Sequence, residues 1–102
     1  MQLAYSDDAL AELVKHPQDR GAVITELFDR LGGRVEAFYH SIGEYDLITI
    51  SELPDNESIA AIMIAIRSTG ITNDLKVPPL LTREEGVSAL RRAGGSGYQP
   101  PS

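Results

Sequence analysis

Apolar and polar positions alternate or recur at helical spacing along the chain, and each spacing predicts an element. Alternation over residues 1–5 predicts a short strand. Apolar residues recur at intervals of three and four over 7–16 and again over 18–31, and Pro17 separates the two stretches. Because proline disfavours helical geometry at the residue before it, the pattern predicts a kinked or split first helix. The Gly32-Gly33 pair then ends this helix.

The next stretch alternates on both sides of Gly43-Glu44, which predicts a hairpin. Its two strands span 34–42 and 45–53 and are joined by a two-residue type II′ turn, since glycine stands at the first central position. A further helix that starts at 54–56 and a strand over 71–77 complete the pattern.

Thr82 and Glu85 have the spacing of a capping box, which predicts an added C-terminal helix that ends near Ala93. The order of elements is then β, α, β, β, α, β with one extra helix. This order predicts an α+β, ferredoxin-like fold with an antiparallel four-stranded sheet. We expect one domain over residues 1–93 and a glycine- and proline-rich tail over 94–102 that is disordered in isolation.

The predicted turn decides which residues of the hairpin share a face of the sheet. One face is apolar, and we expect it to pack beneath the helices: Val35, Ala37, Tyr39, Ile48 and Ile50, with Ser41 and Asp46 at the tip. The other face mixes aromatic, aliphatic and polar side chains: Glu36, Phe38, His40, Ile42, Tyr45, Leu47, Thr49 and Ser51. A three-residue turn would instead exchange the faces of one strand.

The mixed face is too aromatic to be left in water and too polar for an ordinary core. It therefore suits either a subunit interface or the wall of a ligand cavity. As an interface, it would place Phe38, Leu47 and Thr49 against a second copy of the chain. The partner expected from this arrangement is the chain itself, as a homodimer or a higher homo-oligomer.

As a cavity wall, the same face carries groups suited to acid–base chemistry. Imidazole is the side chain most often used in acid–base catalysis, which makes His40 a candidate, and the Tyr45 phenol can donate to an oxyanion. His40, Tyr45 and Asp46 are the catalytic candidates, and together with Tyr39 they are the candidate binding residues for a small-molecule ligand. A structural interpretation stands beside each: His40 and Tyr45 as sheet residues, and Asp46 as a turn carboxylate that accepts backbone N–H groups.

The amino-acid composition excludes several kinds of site and disfavours several kinds of partner. The chain has no cysteine, which excludes disulfides, thiolate catalysis and cysteine-ligated metals. His16 and His40 lie far apart and lack metal-site spacing, so we predict neither a metal nor a cofactor. Nine basic against fifteen acidic residues give a net charge of -6, which disfavours nucleic acid and anionic membranes as partners. No segment has the pattern of a signal peptide, and we expect a cytoplasmic protein.

Several short motifs together resemble one known family. Gly32-Gly33-Arg34-Val35 is followed by Phe38-Tyr39 and then by Gly43-Glu44-Tyr45-Asp46. In this combination the sequence resembles the GYD domain family over residues 4–77. The resemblance implies a small bacterial ferredoxin-like protein of the dimeric α/β barrel superfamily, in which two sheets commonly pack face to face. The family motif maps onto Gly43, Tyr45 and Asp46, and it implies no established catalytic duty for them.

Functions of different classes remain open. The first is a non-enzymatic, self-associating binding or assembly module. The alternative is a cofactor-independent enzyme, similar to monooxygenases or isomerases of the wider superfamily, that acts on a small aromatic or enolisable molecule in a cavity between sheet and helices. Haem or metal binding is a third alternative, which needs a histidine that points into a cavity.

Overall fold

The computed structural model describes residues 1–101. Within them the chain forms four strands and four helices: β1 Gln2–Tyr5, α1 Asp7–Lys15, α2 Arg20–Arg30, β2 Arg34–His40, β3 Leu47–Glu52, α3 Asn56–Arg67, β4 Thr72–Lys76 and α4 Arg83–Gly94. The strands make one antiparallel sheet in the order β2-β3-β1-β4. This is the predicted α+β, ferredoxin-like fold, with the first helix split into α1 and α2 and with the added helix α4.

Each helix begins where the sequence supplies a side chain that accepts its free backbone N–H groups. These N-cap residues are Ser6, Asp19, Asp55 and Thr82. At α4 the predicted capping box is present, because Thr82 Oγ1 accepts from Glu85 N at 3.1 Å and Glu85 Oε1 accepts from Thr82 N at 3.0 Å. The starts of the helices therefore follow from local sequence.

The core lies between one face of the sheet and helices α2 and α3. The helices contribute the buried side chains Ile24, Phe28, Ile62 and Ile66, the sheet contributes Leu3, Tyr5 and Leu47, and Met1 joins them from the residue before β1. We call this side of the sheet the helix-covered face. The opposite side, the open face, carries the apolar residues Ala4, Ala37, Tyr39, Ile48 and Ile50, together with the polar residues Gln2, Asp74 and Lys76 towards the β4 edge.

The hairpin register is the predicted one near the turn, with the pairs Phe38–Thr49, Tyr39–Ile48 and His40–Leu47. The prediction of which face the helices cover is wrong. Leu47 and Thr49 are 1% and 2% exposed, whereas Tyr39 is 65% exposed and Ile50 is 42% exposed. Phe38 packs against the core. The expected interface residues Phe38, Leu47 and Thr49 thus lie on the helix-covered face, where they are not free to contact a second copy.

Strand β1 decides which face is covered. It presents Leu3 and Tyr5 on the same side as Leu47, but only Gln2 and Ala4 on the other side. Packing the helices on the side of Leu47 therefore removes more apolar surface from water. Alternation within the hairpin contains no information on this choice, which is why the hairpin alone predicted the wrong side.

The hairpin differs from the predicted pairing at two places. A bulge lies between Val35 and Ala37, so that Val35 pairs with Ser51 and packs against the core instead of sharing a face with Ala37. The connection between β2 and β3 spans 41–46 and is longer than the predicted Gly43-Glu44 turn. Ser41 N still donates to Asp46 O at 2.8 Å across this connection, while the side chains of Tyr45 and Asp46 bond to β4 and β1.

Helix α4 does not pack into the core of the domain. None of its side chains is buried, although Val87 and Leu90 share one face of the helix and are apolar. Leu80 and Leu81, which precede the helix, are exposed as well. The Cα radius of gyration of 17.2 Å exceeds the value of about 13 Å that is typical of a compact chain of this length.

Helix α4 includes Gly94, the first residue of the predicted tail. Residues 95–101 contain no helix or strand, and Ser102 lies outside the described residues. The division into a domain over 1–93 and a disordered tail stays a prediction. Within residues 1–101, no helix combines the length and apolar character needed to cross a membrane.

Gly33 makes a close contact that a larger residue would disturb. A Cβ atom at this position would overlap the carbonyl oxygen of Glu52 and the side chain of Leu53. We expect Gly33→Ala to lower the free energy of unfolding by about 1–3 kcal/mol in urea denaturation. Gly86→Ala is the control, because a Cβ there meets open space and the change should be neutral or slightly stabilising. Equal losses in both variants would contradict the contact at Gly33.

Candidate functional site

Asp46 joins β1 to β3 at one end of the sheet. Its backbone N–H donates to Leu3 O at 2.8 Å, and its Oδ2 accepts from Tyr5 N at 2.8 Å. The carboxylate thus takes the place of a strand carbonyl just beyond Leu3–Leu47, the last residue pair between β1 and β3. Asp46 therefore has the structural role of a carboxylate that accepts a backbone N–H group, and only one of its oxygens is used for it.

Tyr45 reaches past β1 to the edge strand β4. Its hydroxyl donates to Asp74 Oδ2 at 3.0 Å, and Lys76 Nζ lies 5.5 Å from the centre of its ring. Lys76 also approaches Asp74 Oδ2 at 3.7 Å. The hydrogen-bonding interaction with Tyr45, and to a smaller extent the negative charge of Asp74, holds the pKa of Lys76 above its usual range. The predicted oxyanion donor is therefore bonded within the sheet and lies apart from His40.

Tyr39 and His40 are neighbours in sequence but face different surroundings. Tyr39 lies on the open face. His40 is exposed at the end of β2, with its ring edge-on to Phe38 at 5.6 Å between centroids and 84° between planes. The four predicted ligand-binding residues therefore divide among three places, and only His40 and Asp46 come together.

A cavity of about 290 Å³ between α1, α2 and the ends of β1, β2 and β3 is the place where His40 and Asp46 meet. We call it the α1–α2 cavity. Tyr5 and Arg20 also line it, and sequence reasoning missed both. Tyr5 is 7% exposed, and its hydroxyl has no hydrogen-bond partner among the described residues. Alternation along β1 signals an inward-facing Tyr5, whereas no local signal identifies Arg20.

A larger groove of about 460 Å³ lies at the other end of β3, between that strand, α3 and the segment 77–80. Of the predicted site residues it includes Thr49, whose buried Oγ1 has no hydrogen-bond partner among the described residues. The Thr49 carbonyl accepts from the amino group of Met1 at 2.8 Å, and burial lowers the pKa of that amino group. Apart from these groups the groove is mostly apolar, and it is not continuous with the cavity that holds His40.

The sequence model of the GYD domain family matches residues 1–90. The chain belongs to the GYD domain family. This GYD domain is 35% identical over 65 residues to a Thermus thermophilus protein described as a glutamine synthetase and cystathionine beta-lyase binding protein. The alignment covers 64% of this chain and 68% of that relative. No solved structure matches the chain.

The residues that name the family stabilise the connection 41–46 in this GYD domain. Gly43 adopts a φ of 146°, which favours glycine. Tyr45 bonds to β4 through Asp74, and Asp46 bonds to β1. The motif therefore holds three strands together at one end of the sheet.

The buried Tyr5 hydroxyl makes the stability of this GYD domain depend on pH. Burial, opposed by the positive charge of Arg20, raises the pKa of Tyr5 above its usual value of 10.0. The unfolded chain ionises first, so the stability contributed by the neutral phenol is present below pH 10 and declines as pH rises toward the folded pKa. Urea denaturation at neutral and alkaline pH should show a smaller alkaline loss for Tyr5→Phe than for the wild type; parallel losses would contradict the burial of this group.

Proposed function

We propose that this GYD domain protein is a binding module that forms a homodimer or a higher homo-oligomer through its open sheet face and binds other proteins. The observation that carries the proposal is the apolar open face, which none of the four helices covers. The open face replaces the Phe38, Leu47 and Thr49 surface that the hairpin pattern suggested for the same purpose.

The composition of the open face suits contact with a second copy. Ala4, Ala37 and Ile48 are partly buried and form a low, apolar centre, while the exposed side chains of Tyr39 and Ile50 rise beside it. Antiparallel sheets that face water on one side usually alternate apolar and polar residues, with the polar residues outward. An apolar outward row is instead typical of a sheet that packs on another sheet.

The border of the open face supports the same proposal. Strand register places Asp74 opposite Ala4 and Lys76 opposite Gln2, at the edge strand β4. Stable interfaces between proteins have an apolar centre and a polar rim, and aromatic residues such as Tyr39 are enriched in them. A charged edge beside an apolar centre fits this pattern.

The relative from Thermus thermophilus supports protein partners, because its description names two enzymes that it binds. Helix α4 carries a further exposed apolar surface, and we assign partner binding to it. Val87 and Leu90 are available on α4 without any loss of core packing, since no residue of the helix is buried. The self-associating core would then present several copies of α4 at once, which raises the apparent affinity for an oligomeric partner.

The test is binding of the full chain to glutamine synthetase and to cystathionine beta-lyase from the organism that encodes it, measured by biolayer interferometry. We expect binding to at least one enzyme, and a loss of at least about tenfold in affinity for Val87→Asp/Leu90→Asp. Ser88→Asp/Arg92→Gln is the matched control, because it lowers the charge of α4 by the same two units at positions outside that face. Failure of the wild type to bind either enzyme, or equal binding by all variants, would contradict the assignment.

A further inference from the structure

The α1–α2 cavity contains two opposite charges that are not paired with each other. Within residues 1–101 Arg20 forms no ion pair; its guanidinium bonds to the Gln18 side chain at 3.2 Å and lies beside the Tyr5 hydroxyl. Asp46 gives Oδ2 to the Tyr5 N–H, and Oδ1 has no hydrogen bond from any described residue. A cationic donor and an anionic acceptor thus border the same small space and remain free for a ligand.

Tyr5 supplies an independent sign that a partner belongs in this cavity. Its side chain is buried and lines the cavity, yet its hydroxyl has no hydrogen-bond acceptor among the described residues, because the neighbouring Arg20 guanidinium can only donate. Buried polar groups in folded proteins nearly always have a hydrogen-bond partner, and each exception needs an explanation. A carboxylate that bridges the Tyr5 hydroxyl and the Arg20 guanidinium would provide the missing acceptor.

The remaining wall is apolar and lies on the α1 side. Leu10, Leu13 and Pro17 line it, and the whole cavity of about 290 Å³ accommodates a molecule of roughly ten non-hydrogen atoms. A ligand that fits this wall needs an aliphatic or aromatic body in addition to its charged groups. A long or highly charged ligand would leave this wall without contact.

We propose that the α1–α2 cavity binds a zwitterionic small molecule of the α-amino acid class with an apolar side chain. The carboxylate pairs with Arg20 and accepts from the Tyr5 hydroxyl. The ammonium group donates to Asp46 Oδ1, and the side chain packs on Leu10 and Leu13. This site shares no residue with the open face or with α4. Failure of the ligand to bind would therefore leave the proposed self-association unaffected.

The experiment titrates the full chain with three matched probes, followed by two-dimensional amide NMR. L-leucine carries both charges, 4-methylpentanoate lacks the ammonium group, and isopentylamine lacks the carboxylate. We expect L-leucine to shift the amide signals of Tyr5, Arg20 and Asp46 with a dissociation constant below about 1 mM, and both analogues to bind at least about tenfold more weakly.

Two variants assign the charges. Arg20→Gln should remove the preference for L-leucine over isopentylamine, and Asp46→Asn should remove the preference over 4-methylpentanoate while it retains an oxygen for the Tyr5 N–H. Arg30→Gln is the control on the same helix, since Arg30 pairs with Glu26 outside the cavity. Equal affinity for the three probes, or no shifts with L-leucine at about 20 mM, would overturn the proposal and leave the Tyr5 hydroxyl to an ordered water.

Discussion

Ile48→Asp is expected to convert the homo-oligomer into a folded monomer. Ile48 lies in the middle of the open face, on strand β3, and pairs there with Tyr39 and Gln2. A charge at the centre of an apolar interface is desolvated without a partner, at a cost of several kcal/mol per copy. Sedimentation velocity should therefore show a change from oligomer to monomer with unchanged far-ultraviolet circular dichroism.

Ile64→Asp provides the matched control for this variant. Ile64 is exposed on α3, on the side of the sheet opposite to the open face, and the substitution is chemically identical. We expect Ile64→Asp to leave the oligomer intact. Dissociation by both variants would indicate a general effect of charge, and dissociation by Ile64→Asp alone would place the interface on α3 instead of on the sheet.

Substitution of Leu47, the neighbour of Ile48 on β3, is expected to reduce the stability of the folded chain instead of changing its oligomeric state. Leu47 is almost completely buried between the sheet and the helices, in contact with the core. Leu47→Ala should lower the free energy of unfolding by about 2–5 kcal/mol, because it removes apolar contacts and leaves a cavity. Since domains are stable by only about 5–15 kcal/mol in total, Leu47→Asp should prevent folding altogether.

Urea denaturation followed by circular dichroism measures this effect, and Ile50→Ala on the open face is the comparison. We expect Ile50→Ala to cost less than about 1 kcal/mol when it is measured in the monomeric Ile48→Asp background. A larger loss for Ile50→Ala than for Leu47→Ala would mean that the helices cover the other face of the sheet, as the hairpin pattern alone suggested.

Local sequence signals predicted most of the elements because the relevant interactions are local. The capping box at Thr82, the proline that separates α1 from α2 and the glycine pair before β2 each act within a few residues. The hairpin register followed in the same way from the position of its turn, although the connection 41–46 is longer than predicted. Local interactions do not determine which side of a strand pair meets the helices.

Long-range contacts account for what could not be predicted. The covered face was decided by Leu3 and Tyr5, which reach the hairpin only because β1 enters the sheet next to β3. The partner of Tyr45 is Asp74, which is distant in sequence and becomes a neighbour only through the strand order. For the same reason His40 and Asp46 were identified as site candidates, but Arg20, which comes from a helix, was not.

The mass of the wild-type chain in solution tests the central claim most directly. Sedimentation equilibrium of the full chain at about 10–100 μM covers the range in which an interface of ordinary strength is occupied. The account predicts a mass of at least twice the 11.1 kDa of one chain, and a return to 11.1 kDa for Ile48→Asp. A wild-type mass of 11.1 kDa over the whole concentration range would contradict it.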